Sequence, residues 1–224
     1  MSFTETDLGF IQEKDGYLIF FGKNSATLDQ IKQAYPELSF RTVHQKHTDV
    51  CVPSSPDSGE TIADAHFSEE DNVALVVKTA DCIPLLAYSK KQNLILAIHA
   101  GWRGVENQIT PKSFVSAKMQ EAEIFVGPHI LQKSFEVDLD VKEQLEKVYL
   151  QHTEKPDAQV FISRDSKFYI DLKTIVKKQI QSVAIPFHLH ELTIDTVSDT
   201  RLHSYRRDKQ TSGRNLSFIA RLKS

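Results

Sequence analysis

Residues 72–104 read NVALVVKTADCIPLLAYSKKQNLILAIHAGWRG, three short apolar runs separated by turn residues. Few folds accommodate that pattern. The runs 73–77, 83–88 and 94–98 are too short for buried helices and are bounded by polar or small residues, so they are expected to be buried strands. They end on Thr79-Ala80-Asp81-Cys82 and on His99-Ala100-Gly101-Trp102-Arg103-Gly104. A carboxylate, a thiol, an imidazole, the only tryptophan and a guanidinium therefore stand at expected strand ends, where loops on a rigid sheet carry sites. Gly101 and Gly104 would allow a tight turn or the close approach of a ligand.

The flanking chain alternates between the two periodicities. Residues 17–21, 39–44, 50–52, 124–126, 160–162, 168–170, 192–194 and 215–219 have strand character, and 54–59 has the composition of a loop. Leu28, Ile31 and Tyr35 mark a helix stopped by Pro36. A second helix is expected with Thr110 as cap, Pro111 at its first position, and Phe114, Val115 and Met119 as apolar positions. Val141, Leu145 and Val148 mark a third, and Leu172, Ile175, Val176 and Ile180 a fourth, with their apolar faces in the core. Strands and helices interleave without an internal repeat or linker. The expected fold is mixed α/β or α+β, a single compact domain over residues 1–224 with a mixed β-sheet core.

A net charge of −3 and the lack of a basic stripe argue against nucleic-acid binding. The first sixteen residues lack a secretory pattern, and no stretch approaches the roughly 20 apolar residues of a membrane span. With two cysteines, Cys51 and Cys82, and no export signal, a reduced cytoplasmic protein without a disulfide is expected.

His47, Cys82 and His99 each flank an expected strand. Two imidazoles and a thiol could provide three zinc ligands with a fourth position for water, the pattern of a catalytic zinc. Their spacing forms no compact local motif, so on the residues alone a buried thiol and two hydrogen-bonded histidines are the favoured reading.

Further motifs narrow the choice. Gln45-Lys46-His47, Thr79-Ala80-Asp81-Cys82-Ile83-Pro84, His99-Ala100-Gly101-Trp102-Arg103-Gly104, Gly127-Pro128-His129-Ile130 with Phe135-Glu136-Val137, and Ser204-Tyr205-Arg206-Arg207 with Gly213-Arg214 follow one another in order. Over residues 41–217 this order resembles the YfiH family, also called the polyphenol oxidase or laccase-domain family, whose mammalian relative is a purine nucleoside enzyme. The resemblance implies one catalytic zinc ion on His47, Cys82 and His99. It also implies phosphorolysis of adenosine, inosine and methylthioadenosine, with hydrolytic deamination of adenosine in the same pocket, so that the partners are a purine nucleoside and phosphate.

A zinc ion acidifies bound water toward neutrality and polarises substrate, which suits that chemistry. Phosphorolysis also needs a positive pocket, for which Arg103 is the first candidate and Arg206, Arg207 and Arg214 the next, since guanidinium forks match phosphate oxygens. Ion pairing or solvation is the alternative for the last three. Asp81 could act as acid or base, or orient a ligand. Trp102 could stack on a base or belong to the core. Where the family usually shows an arginine and a glycine pair after the first strands, this chain has Phe20-Phe21-Gly22-Lys23-Asn24-Ser25, leaving Lys23 as a possible substitute. Where the family often has Cys-Thr late in the chain, Asp195-Thr196 stands here.

Three rival readings have distinct signatures. A multicopper laccase needs many histidines, often in His-x-His pairs, and among the nine here only His188 and His190 form one. A cysteine hydrolase would use Cys82 as nucleophile with His99 or His47 as base, and would survive chelation. A non-enzymatic zinc-binding protein would need a fourth ligand, such as Cys51 or another histidine, and would unfold on metal removal.

Overall fold

A computed structural model describes residues 3–155 and 157–223. Strands β1 (Thr4–Glu5), β2 (Gly9–Lys14) and β3 (Tyr17–Gly22) precede helix α1 (Leu28–Ala34) and strand β4 (Ser39–Arg41). Next come β5 (Cys51–Pro53), β6 (Ala65–Ser68), β7 (Val73–Thr79), β8 (Ile83–Ser89) and β9 (Leu94–Ala100). Helices α2 (Trp102–Glu106) and α3 (Ile109–Ser116) lead to β10 (Ala122–Val126), β11 (Glu136–Val137) and α4 (Leu139–Leu150). The chain ends with β12 (Phe161–Arg164), β13 (Lys167–Ile170), α5 (Leu172–Ser182), β14 (Phe187–Glu191), α6 (Tyr205–Asp208) and β15 (Asn215–Arg221).

These strands build two six-stranded mixed sheets and a small third one. The first runs β1-β2-β3-β15-β7-β4, the second β14-β10-β8-β9-β6-β5, and the third β11-β13-β12. The β4–β7, β5–β6 and β10–β14 pairs are parallel. The expected mixed α/β fold is present, with its sheet core doubled.

The apolar runs are continuous because their strands are covered on both faces. On β7, Val73, Leu75 and Val77 pack between the sheets while Ala74 and Val76 face the α1 side. On β9, Ile95 and Ala97 face the inter-sheet layer, and Leu94, Leu96 and Ile98 join the core shared with α3, α4 and α5. The layers are therefore α1, first sheet, second sheet, helices.

Three local expectations change. Thr110 lies inside α3 rather than capping it: the helix starts at Ile109 behind Gln108, whose backbone is left-handed at φ 62°. Val115 is exposed, and Met119 is buried beyond the helix end. The strand expected at 192–194 is instead β14, whose alternating His188 and His190 disguise it. Strands β2 and β6 and the short α2 had no sequence expectation, being interrupted by polar residues or only one turn long.

Candidate metal centre

Strands β7 and β8 belong to different sheets, so residues 80–82 carry the chain from one to the other. Cys82 sits at that switch. His99 lies within β9 rather than beyond its end, and the pleat's alternation turns it the same way as Ile95 and Ala97, toward the first sheet. His47 comes from the loop after β4, with its backbone left-handed at φ 59°. Elements far apart in sequence thereby bring His47, Cys82 and His99 together.

Among the described residues, these three form a group whose ligand atoms all lie within 4.8 Å of one another. Cys82 Sγ is 3.8 Å from His47 Nε2. Tetrahedral zinc with nitrogen and sulfur ligands would set donors roughly 3.3–3.8 Å apart, so the donor set fits such an ion after small adjustments. Cys51 does not join it: its thiol packs toward the Ser113 carbonyl, and burial pushes its pKa up to about 12.

Asp64, which the sequence reading missed, supports the group. Its carboxylate is fully buried and accepts from the backbone N–H groups of Lys46 (3.1 Å), His47 (3.1 Å) and Thr48 (2.6 Å). It also accepts from Thr48 Oγ1 at 2.8 Å and pairs with His99 Nδ1 at 2.7 Å. One carboxylate thus fixes the His47 loop and presents the other nitrogen of His99 to the sulfur. The only local signal was a lone carboxylate between Ala63 and Ala65 at a strand entry.

The electrostatics follow from this packing. Burial works to raise the Cys82 thiol, but the His99 and His47 imidazoles overcome it and pull its pKa down to about 6. Burial works against the His99 cation, and the Cys82 thiolate and Asp64 carboxylate hold its pKa up. Burial would raise Asp64 too, yet the His99 and Thr48 donors keep it at about 2. The sulfur is therefore poised as a thiolate, the form that binds metals and attacks carbon.

Gly101 is required beside it. A Cβ there would lie 2.8 Å from His47 Cδ2 and 3.0 Å from Cys82 Sγ. The close approach at this glycine is by the His47 and Cys82 side chains.

A cavity of about 1000 Å³ opens over the group. Trp102 and Arg103 line it, with the Arg103 guanidinium 4.4 Å from the Trp102 ring. Ile130, Phe135, Val137, Val141 and Leu172 add apolar surface, while Lys78, Lys209 and Arg214 line it with positive charge. Asp81 lies at the same cavity with both oxygens engaged: Thr196 Oγ1 and the Arg206 N–H donate to them, each at 2.6 Å. Its carbonyl also accepts from Ile130 at 2.9 Å, so Asp81 ties three cavity segments together.

The remaining candidates divide. Arg206 lines the cavity, its guanidinium 5.9 Å from the Phe135 ring. Arg207 does not: it pairs with Asp208 and donates to the carbonyls of Thr196, Val197 and Leu202, the structural alternative. Lys23 is no substitute within this cavity, because its ammonium pairs with Glu5 at 2.7 Å and Thr6 O at 2.6 Å outside the lining. His129 is buried against the Gly127 carbonyl, and His188 and His190 both contact Glu123.

Comparison with known proteins agrees with this architecture. A family model described as multi-copper polyphenol oxidoreductase laccase matches residues 21–222. A protein named purine nucleoside phosphorylase from Clostridium acetobutylicum is 28% identical over 183 residues, covering 78% of this chain and 74% of that protein. One from Haemophilus influenzae with the same name is 31% identical, covering 73% of this chain and 67% of its own length. The purine nucleoside phosphorylase YfiH of Shigella flexneri is 30% identical, and the match spans 63% of that relative, less than two thirds of it. Among solved structures, YlmD from Geobacillus stearothermophilus superposes with a TM-score of 0.84 at 19% identity, covering 99% of each chain. A Neisseria meningitidis protein gives 0.83 at 23% identity over the whole of both chains. These two likenesses show a shared fold.

Proposed function

The chain belongs to the YfiH family of laccase-domain proteins, and from that premise we propose that it is a zinc-dependent purine nucleoside phosphorylase acting on adenosine, inosine and methylthioadenosine. Adenosine deaminase activity in the same cavity, and a cytoplasmic setting, belong to the same reading. The observation that carries it is the convergence of His47, Cys82 and His99 at the base of a cavity large enough for a nucleoside and an anion. The relatives named purine nucleoside phosphorylase suggest the substrate class.

When bound, zinc would supply Lewis acidity and an acidified water. The chain's own residues do the rest. Trp102 and Phe135 offer rings against which a planar base can pack, and Arg103 and Arg206 place guanidinium groups where phosphate oxygens can be received. Asp81, with both oxygens committed, orients Arg206 and its neighbours and leaves acid–base work to others. One described group of three ligating side chains suits a single ion and gives no support to a multicopper centre.

A second reading draws on the Asp64–His99 pair beside a thiolate-prone Cys82, which is the geometry of a cysteine hydrolase. Two imidazoles converging on one sulfur favour the metal. The deciding experiment incubates purified, metal-analysed protein with adenosine, with and without phosphate. Adenine and ribose 1-phosphate formed only with phosphate, and lost on chelation, are expected; inosine in either condition adds deamination. Activity that survives chelation but not alkylation of Cys82 would replace this reading with the hydrolase.

A further inference from the structure

Asp195 is buried and does not line the cavity, yet its carboxylate holds a loop that does. Oδ1 accepts from the Leu131 N–H at 3.1 Å, and Oδ2 from the Ser134 hydroxyl at 2.8 Å and the Ser198 hydroxyl at 2.9 Å. The exposed Lys133 ammonium stands 3.5 Å from the same carboxylate. Leu131 follows Ile130 and Ser134 precedes Phe135, so the two anchored positions lie just inside two apolar residues of the cavity wall. Backbone bonds run alongside: the His129 N–H donates to Ile194 O at 3.2 Å, and the Thr196 N–H to His129 O at 3.1 Å. Residues 129–135 are therefore tied to the segment after β14 by side chain and backbone together.

Thr196, the next residue, carries the tie onward. Its hydroxyl donates to one oxygen of Asp81 while the Arg206 N–H donates to the other. The Asp81 carbonyl takes the Ile130 N–H, and the Arg207 guanidinium donates back to Thr196 O at 2.9 Å and Val197 O at 3.2 Å. These bonds close a ring through residues 130–135, 195–197, 206–207 and Asp81, which sets Phe135 and the Arg206 guanidinium relative to each other. Burial works to raise the Asp195 carboxyl, but the Ser134 and Leu131 donors keep its pKa below the usual range, so it stays an ionised acceptor. An amide there would keep the shape but lose one acceptor oxygen and turn an NH₂ toward donors. The cysteine that the family often has at this position accepts only weakly, so the clamp depends on the carboxylate of this chain.

We propose that Asp195 is a positioning residue for nucleoside binding: through Leu131 and Ser134, and through its neighbour Thr196, it fixes the 130–135 wall relative to Arg206. This deepens the phosphorylase reading and rests on it for the choice of ligand. Asp195 touches neither substrate nor the metal-ligand group. A wall ordered in advance spares the ligand the cost of ordering it, so loosening the clamp weakens binding before it slows chemistry.

The wild type, Asp195→Asn, Ser134→Ala and the exposed helical control Lys177→Gln would be compared in metal content, adenosine phosphorolysis and hydrogen exchange read by mass spectrometry. Asp195→Asn is expected to raise the KM for adenosine about tenfold with kcat within about twofold of wild type and metal content unchanged. Exchange in residues 129–136 and 204–208 should quicken about tenfold while β8 and β9 keep wild-type protection. Ser134→Ala, which removes one donor and leaves the acid in place, should shift KM and both segments the same way by a smaller factor, and it carries the test if Asp195→Asn fails to fold. Unchanged KM, a fall in kcat alone, quickening confined to 129–136, equal quickening in β8 and β9, or the same changes in Lys177→Gln would overturn the proposal. A wild type that forms no product from adenosine would instead count against the phosphorylase reading, and the exchange pattern would then decide by itself whether Asp195 couples the two segments.

Discussion

Asp64 joins two duties that a single carboxylate can perform only in this geometry. Its oxygens are saturated by three backbone N–H groups, one hydroxyl and one imidazole, all from the segments that bear His47 and His99. An amide in its place has one good acceptor oxygen, and its NH₂ would face donors. Asp64→Asn should therefore weaken zinc binding by about 10–100-fold, the range for groups that orient metal ligands. Competition with a chelator of known affinity measures it, and a wild-type constant would mean the loop and His99 hold themselves. The three candidate ligands were legible in the sequence because thiol and imidazole are chemically distinctive. Asp64 was not, since a buried acid between alanines looks like many surface acids until its donors converge.

The elements around the site divide the work between rigid and strained backbone. Strand β9 positions His99 through pleat alternation, while Asp81 at φ 86° and His47 at φ 59° place the other segments by left-handed turns. Gly101, at φ −74° and ψ 163°, occupies ordinary extended backbone, so its need to be glycine comes from packing alone. Gly101→Ala should cost about 1–3 kcal/mol in crowding, all of it falling on His47 and Cys82. Lower zinc stoichiometry, with the thermal midpoint of the metal-free protein lowered by about 2–4 °C per kcal/mol, is the expected outcome; full zinc loading would show that the His47 loop yields without harm. The short β14 and the true start of α3 escaped the sequence reading because histidines mask the alternation of one and a left-handed glutamine, in place of a usual cap, opens the other.

At the scale of the whole molecule, the two sheets enclose a layer that takes in the fully buried His66 ring. His66 on β6 pairs with Ala97, which faces the inter-sheet layer, and both its ring nitrogens lack a hydrogen-bond partner. Burial, with the Arg41 charge behind it, lowers its pKa from 6.5 to about 4, opposed in part by the Val76 backbone. Above pH 6.5 the ring is neutral in both folded and unfolded chains and contributes no pH dependence. As pH falls from 6.5 to 4 the unfolded chain takes the proton first, so stability declines. His66→Leu should flatten urea unfolding over that window by about 3 kcal/mol relative to wild type. An unchanged pH slope would assign the decline to other groups.

What the sequence determined by itself was local: the buried strands, most helices, and a thiol and two imidazoles able to bind a metal. Those properties reside in side-chain chemistry and in periodicities of two and 3.6 residues, which need no knowledge of distant segments. The tertiary structure alone decided that residues 80–82 switch between sheets and that Asp64 lies behind both histidines. It also removed Lys23 and Arg207 from the cavity by giving each nearer acidic partners. Such contacts depend on which strand lies beside which, a choice made by burying apolar faces across the whole chain and left unmarked in any one stretch of it.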